Sequence, residues 1–544
     1  MRTIRLLPAS NKTRPGWQQS LLLCALLALA ACSGPVQDRT VLNRTLGVEP
    51  ESLDYHKART KQAGDVQRDI GEGLTGYSAT GELLAAAAES WQLSDDGLRY
   101  TFNLRKDARW SNGDVVTAEH FVYSFRRLVD PRTAAFYAQT IIDIENASEI
   151  IAGDLPPEEL AVTASGEFEL TVRLRQPVPY FLALLSHPST FPVHPSAAEA
   201  PGDDYARPGR LISNGAYQLD AWQLGSVIEL RRNEFYHAND DTGIDRVRHH
   251  ITTEAHAELN RYRAGEVDLT SGIPQDALLQ MRAERPDEVH VAPYLGVYFY
   301  GFNLKREPFK SNLKLRQALS MAIDREDITE KVTGRGETPA YSWVPPGVDR
   351  YEPRLFPYAA MSREERHAAA RQLYREAGFG EDNPLQLELR YNTSQSHSRV
   401  AVAIEDMWRE VLGVETSLIN EEFRVLLANI KAQEITQVFL SSWLGDYNDA
   451  HTFLHLLQTD SPSNLFGYSN DDFDSLMLRS AAQTDPQRRQ LYLEEAERVL
   501  LDDHPVLPIY FRVSKHLVSP RIEGWGDNVL DYHYSQHLSF SEPD

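Results

Sequence analysis

YTFNLRKDARWSNGDVVTAEHFVYSFRRLVDP, residues 100–131, changes its hydrophobic period partway along. At its start Tyr100, Phe102 and Leu104 alternate with Thr101 and Asn103, the period-two pattern of a half-buried strand. After Thr117 the apolar positions become Phe121, Val122, Phe125 and Leu128, which share one face at helical spacing. Thr117 stands where an N-cap is needed, its hydroxyl able to accept from a free backbone N–H of the first turn. A strand leading straight into an amphipathic helix is the unit of a mixed α/β fold.

The same grammar recurs on both sides of this stretch. Phe168, Leu170, Val172 and Leu174 alternate as a second strand. Ser362 and Glu365 form a capping box, and Gly378 marks the end of that helix. Val400, Ile404, Met407, Trp408 and Val411 make the buried stripe of another helix. Asp485-Pro486 opens one more, with Leu493, Ala496 and Leu500 facing inward. There is no internal repeat, low-complexity tract or long flexible linker. The chain reads as several compact α/β lobes in close contact. Composition does not shift along it, as expected when domains interleave.

The N-terminus is built differently. Arg2, Arg5, Lys12 and Arg14 lead into an apolar run of eleven residues, Leu21 to Ala31, followed by Cys32. This is the layout of a secretory signal, and Leu29-Ala30-Ala31-Cys32 resembles a bacterial lipobox. That reading predicts cleavage of residues 1–31 and acylation, including palmitate, on Cys32. The run is shorter than the roughly 20 residues a spanning helix needs. The expectation is a cell-envelope protein outside the cytoplasm, membrane-anchored by lipid. Ser33, after the cysteine, leaves inner- against outer-membrane sorting open.

The 544-residue chain has a formal net charge of −23, and residues 1–31 hold none of its 78 acidic residues. An acidic surface argues against nucleic acid and anionic lipid as partners. Of the two cysteines, Cys24 falls in the removed piece and Cys32 is the lipidation site, so no intrachain disulfide is expected.

Enzyme signatures are missing. There is no G-x-S-x-G, H-E-x-x-H, C-x-x-C or P-loop pattern after the signal. His249, His250, Glu254 and His256 form the densest metal-like cluster, but adjacent strand residues face opposite sides and could not share one ion. They read as solvated strand and turn histidines, and Asp95-Asp96 and Asp502-Asp503 read as surface charge. No metal, no cofactor and no enzyme activity is expected.

Residues 100–131 resemble the signature segment of the extracytoplasmic solute-binding proteins of peptide ABC importers. The resemblance continues through GEGLTGYSATGELLAAAAESW (71–91), RYRAGEVDLTSGIP (261–274), EPFKSNLKLRQALSMAIDRE (307–326), YNTSQSHSRVAVAIEDMW (391–408) and SSWLGDYNDAHTFL (441–454). It covers essentially the whole mature chain and is similar to the oligopeptide-binding branch. It implies an α/β two-lobed clamp of the periplasmic-binding-protein type (type II) with an extra inserted domain. Lobe I would comprise residues 38–62, 190–296 and 511–544, the inserted domain 63–189, and lobe II 297–510. The implied function is capture of short peptides, about three to five residues long, and their delivery by a monomer to the permease of an ABC importer.

A receptor for peptides of any sequence can rely only on the ammonium, the carboxylate and the amide backbone. Asp446, in WLGDYN, matches the family carboxylate that holds the peptide ammonium; Trp443, Tyr447 and Asn448 flank it as a pocket wall. The segments around Glu49 and Ser442 would add the ligand as a strand. Tyr137 matches a cleft tyrosine, Phe423 stands where the family often has tryptophan, and Tyr510 borders the return to the first lobe. His397 matches a histidine that meets the carboxylate of longer peptides. The family's usual arginine is replaced by Leu440, with Lys431 a substitute cation, and the usual cysteine pair by Gly296 and Leu444. The missing arginine keeps other cargo open: a murein-derived peptide, or a metal or haem complex. A non-transport receptor or chaperone using the same cleft also stays open.

Overall fold

The computed structural model describes residues 40–199, 205–434 and 437–542. Residues 1–31, expected to be a signal segment, and Cys32 and Ser33 lie outside the described residues. The architecture is mixed α/β, as read from the sequence, with separate hydrophobic cores. No helix among the described residues is long and apolar enough to cross a membrane.

One core gathers distant parts of the chain. Strand Val41–Gly47 pairs in parallel with Arg246–Ile251, which continues antiparallel into Val227–Arg232 and Tyr217–Gln223. Helix Lys61–Ile70 adds Val66 and Ile70, and the C-terminal segment adds Val518, Ile522 and Leu538. Thr60 caps that helix through its side chain.

A second core lies wholly within residues 74–185. Its antiparallel sheet has the order Ala88–Leu93, Arg99–Leu104, Glu169–Arg173, Val162–Gly166. Tyr100, Phe102 and Leu104 are buried, and helix Ala118–Val129 lays Phe121, Val122, Phe125 and Leu128 against them. The Thr117 cap forms a box with His120.

The largest core runs from Leu295 to Tyr534, with Tyr77 buried in it and Leu83 packed against it from earlier in the chain. Its six-stranded sheet has the order Thr338–Pro339, Val506–Leu517, Val289–Phe302, Val438–Leu444, Gln386–Asn392, Glu415–Glu421. Helices Arg363–Glu376 and Pro486–Asp503 carry the expected caps, and Gln395–Leu412 buries Val400, Ile404 and Trp408 of its expected stripe. Strands Val289–Phe302 and Val506–Leu517 also leave this core. Val289, Val291 and Leu517 pack with Leu259, Tyr262 and Met281 in a small fourth core. The ladder between the two strands breaks register between Pro293 and Val297. A two-stranded ribbon with a break in its ladder is the natural place for bending between lobes.

The sequence reading of the histidine cluster needs correction. His250 is half-buried and His256 exposed, but His249 is fully buried, with its Nε2 3.1 Å from Asp69 Oδ2. Asp69 also accepts from the Ser535 backbone N–H at 2.8 Å and its hydroxyl at 2.7 Å. Burial lowers the pKa of His249, so it serves as a neutral structural group. Asp503 is likewise partly buried, accepting from Tyr468 and Asn470 at 2.7 Å each.

Candidate functional site

Asp446 follows directly on strand Val438–Leu444 because Gly445 turns the chain. Gly445 N–H donates to the Leu295 carbonyl at 2.8 Å, and a Cβ there would lie 2.5 Å from Leu295 Cδ2. The buried Thr452 hydroxyl then fixes the loop, accepting from Asp446 N–H at 3.2 Å and from Trp443 Nε1 at 3.4 Å. Thr452 gives no sign in the sequence beyond its place in SSWLGDYNDAHTFL.

The Asp446 side chain faces a cavity of about 470 Å³ whose walls come from three cores. Helix Lys61–Ile70, Tyr137 and His187, Tyr294 and Tyr532 all contribute. Among the described residues, no hydrogen bond or ion pair reaches the Asp446 carboxylate. Desolvation alone pushes its pKa up to about 6. Asp446 is exposed to the cleft, and the surrounding protein displaces only part of its bulk water.

Of the cations lining this cavity, Lys61 and Arg68 are held by carboxylates, and Arg59 lies 5.0 Å over the Phe136 ring. Lys61 bonds Asp65 at 2.9 Å and Asp531 at 3.3 Å. Arg68 lies 3.4 Å from Asp65 and stacks 3.5 Å over the Tyr532 ring. Burial pushes His187 and His451 of this wall down to about 3 and lowers His455 as well. The cavity therefore presents one carboxylate without a counter-ion, a site electrostatically incomplete until a cation enters. Tyr137 sits beside it, its hydroxyl donating to the Arg59 carbonyl at 3.2 Å. Burial raises the Tyr137 pKa, and the Asp446 charge adds to this.

A second cavity, of about 380 Å³, holds His397, Phe423, Lys431, Ser442 and Trp443 together. Its lining is mostly apolar. Phe423 is 60% exposed, an aromatic ring without a packing partner deep enough to cover it. His397 Nδ1 lies 3.0 Å from Asn392 Oδ1, and burial lowers its pKa. Leu440 lines the same cavity from the strand. Ser442 stands opposite Tyr298 in the ladder, and Tyr510 stacks on Tyr298 at 4.5 Å. Gly296 and Leu444 face each other across that ladder.

Glu49 lies apart from both cavities. Its carboxylate accepts from Trp222 Nε1 at 2.9 Å and from Gly225 N–H at 3.1 Å. A larger cavity, of about 740 Å³, opens between the second core and the largest one, near Trp91, Tyr100 and Arg489. Asn448, expected beside Asp446 as pocket wall, lines this cavity instead of the Asp446 cavity, whereas Tyr447 does line the latter. The larger cavity's guanidinium at Arg489 is paired with Asp449 at 2.6 and 2.8 Å, so it lacks the unmatched charge of the Asp446 cavity.

His516, Asp531 and His533 form a further cluster that the sequence did not reveal, with ligand-type atoms within 4.8 Å of one another. They are held by their own hydrogen bonds: His516 Nε2 lies 2.6 Å and His533 Nε2 3.3 Å from Asp531 Oδ1. With Lys61 beside Asp531, the group supports the cavity wall.

A family model described as bacterial extracellular solute-binding proteins, family 5 Middle, matches residues 82–464. The periplasmic oligopeptide-binding protein OppA of Salmonella typhimurium is 37% identical over 543 residues, covering 97% of this chain and 99% of that one. The unliganded open form of the periplasmic murein tripeptide binding protein MppA superposes with a TM-score of 0.87 at 34% identity, covering 93% and 98% of the two chains. Haemophilus influenzae OppA in complex with RPPGFSPFR, also 34% identical, gives 0.71 over 93% and 99%.

Proposed function

The chain belongs to the bacterial extracellular solute-binding proteins of family 5, and on that premise we propose that it captures short peptides between its lobes and hands them to an ABC importer. The observation that carries this is Asp446, a desolvated carboxylate without a counter-ion where three cores meet. A peptide ammonium completes it by a charge-assisted hydrogen bond. The exposed edge of polar and aromatic groups from Ser442 to Trp443 offers the backbone a strand to lie along. Three to five extended residues cover about 10–17 Å at about 3.3 Å each, enough to pass from Asp446 over Ser442 toward Leu440 and His397.

Closure is the second part of the proposal. At equal identity, the chain fits an unliganded open relative better than a peptide-bound one, which supports an open, receptive state here. Rotation about the ribbon Val289–Phe302 and Val506–Leu517 would bring Tyr137 and the helix Lys61–Ile70 onto the ligand. The division into lobe I, inserted domain and lobe II fits the separate cores, with Val66 and Ile70 favouring an insertion that starts after residue 70. Cys32 is assigned the lipid anchor that keeps a monomeric receptor beside its permease.

Calorimetry on the chain lacking residues 1–32, with peptides of two to six residues, tests the reading. Binding of tripeptides to pentapeptides that falls at least a hundredfold in Asp446→Ala is the expected result, from the roughly 3–5 kcal/mol cost of breaking a pair that lobe closure would bury. Binding of murein fragments or metal complexes alone, or unchanged affinity in Asp446→Ala, would overturn it.

A further inference from the structure

Between the two cavities lies a cation that no part of the foregoing uses. Arg512 follows Phe511, which pairs with Val297 in the ladder. A side chain built on Gly296 would meet Leu444 Cδ2 at 2.6 Å and Arg512 Cδ at 3.1 Å. Gly296, Leu444 and Arg512 therefore share one face of the sheet. Alternation along the ladder puts Tyr298 and Ser442, which line the 380 Å³ cavity, on that face too. Tyr294 and Gly445, one or two residues away, line the Asp446 cavity. Arg512 thus sits at the junction, and the glycine at 296 is what leaves room for its stem.

Its guanidinium has no partner among the described residues, and its buried Nε lacks an acceptor. The neighbouring carboxylate, Glu337, is engaged by the Arg335 N–H and the Thr333 hydroxyl, both at 3.0 Å. An orphaned buried N–H on a half-buried guanidinium is a costly state that an incoming carboxylate would relieve.

Resting on the peptide-binding reading, we propose that Arg512 is a specificity-determining residue that selects ligands carrying a carboxylate on their second residue. Arg512 lies abreast of Leu444, two residues from Asp446, or about 7 Å along an extended chain. With the ligand ammonium on Asp446, the second residue comes level with the guanidinium. The carboxylate is either an acidic side chain there or the C-terminus of a dipeptide. Leu440 removes the usual cation further along; Arg512 places one nearer the ammonium end.

The test is calorimetry at pH 7 with Ala-Glu-Ala-Ala, Ala-Gln-Ala-Ala and Ala-Ala. The wild type binds the Glu peptide about tenfold to a hundredfold more tightly than the Gln peptide, the range for a hydrogen bond to a charged group. That ratio collapses toward one in Arg512→Gln, stays partly in Arg512→Lys, and persists in Lys431→Gln. Gly296→Ala, which crowds the Arg512 stem without removing the charge, lowers it too. Loss of Ala-Ala binding in Arg512→Gln adds the terminal carboxylate as a source; retention assigns the preference to the side chain. A wild-type ratio near one, or a ratio that survives Arg512→Gln, overturns the proposal. Equal binding of Ala-Gln-Ala-Ala by wild type and Asp446→Ala instead sinks the ammonium reading while leaving the Glu-to-Gln ratio readable.

Discussion

Lowering the pH should release peptide, and the dependence can be worked from one group. In the empty cleft, desolvation holds the Asp446 pKa near 6. In the complex the ligand ammonium favours the ionised form and drives that pKa down. Affinity is therefore complete above about pH 6 and is lost as pH falls through it. At pH 5 about one site in eleven is ionised when empty, so binding weakens about tenfold relative to pH 7, with close to one proton released per ligand bound. Burial keeps His187 and His451 near 3 and lowers His455, the third histidine of this cavity, so Asp446→Asn is the control that isolates the carboxylate. Titrating Ala-Ala-Ala from pH 5 to 7 in buffers of different ionisation enthalpy measures both quantities. Constant affinity over that range, or a slope retained in Asp446→Asn, would refute the reasoning.

Three other perturbations have defined outcomes. Asp69→Ala leaves neutral His249 and the Ser535 hydroxyl and N–H without their acceptor, and should cost about 1–3 kcal/mol in denaturant unfolding; no measurable change would contradict the burial argument. Phe423→Ala removes an exposed ring from the 380 Å³ cavity and should weaken peptides with a large apolar side chain by about tenfold while folding normally, as binding and circular dichroism together would tell. Saturating tripeptide should shrink the radius of gyration in small-angle scattering, and equal values with and without ligand would speak against hinge closure.

Much of this was legible in the sequence because its cause is local. The Thr117 and Ser362 caps, the Asp485-Pro486 start and the buried stripes depend on neighbours a few residues away, and all lie where the spacing puts them. Asp446 could be singled out by resemblance, and the residues gathered around His397 and Phe423 do share a cavity. What could not be read depends on partners far along the chain. His249 looked solvated because Asp69 is 180 residues away. The Glu49 side chain's engagement with Trp222, 173 residues away, could not be read from the sequence either. The desolvation of Asp446 needs three cores to converge, and no short pattern encodes that. Arg512 is ordinary as a letter; it matters only because Gly296 faces it across a ladder.

The central claim is that a lone carboxylate in the cleft captures the free amino end of short peptides. The most direct measurement pairs Ala-Ala-Ala with its N-acetylated form in calorimetry on the same protein at pH 7. The unblocked peptide should bind at least a hundredfold more tightly, and the difference should vanish in Asp446→Ala. Equal affinity for the two forms on the wild-type protein would contradict the account.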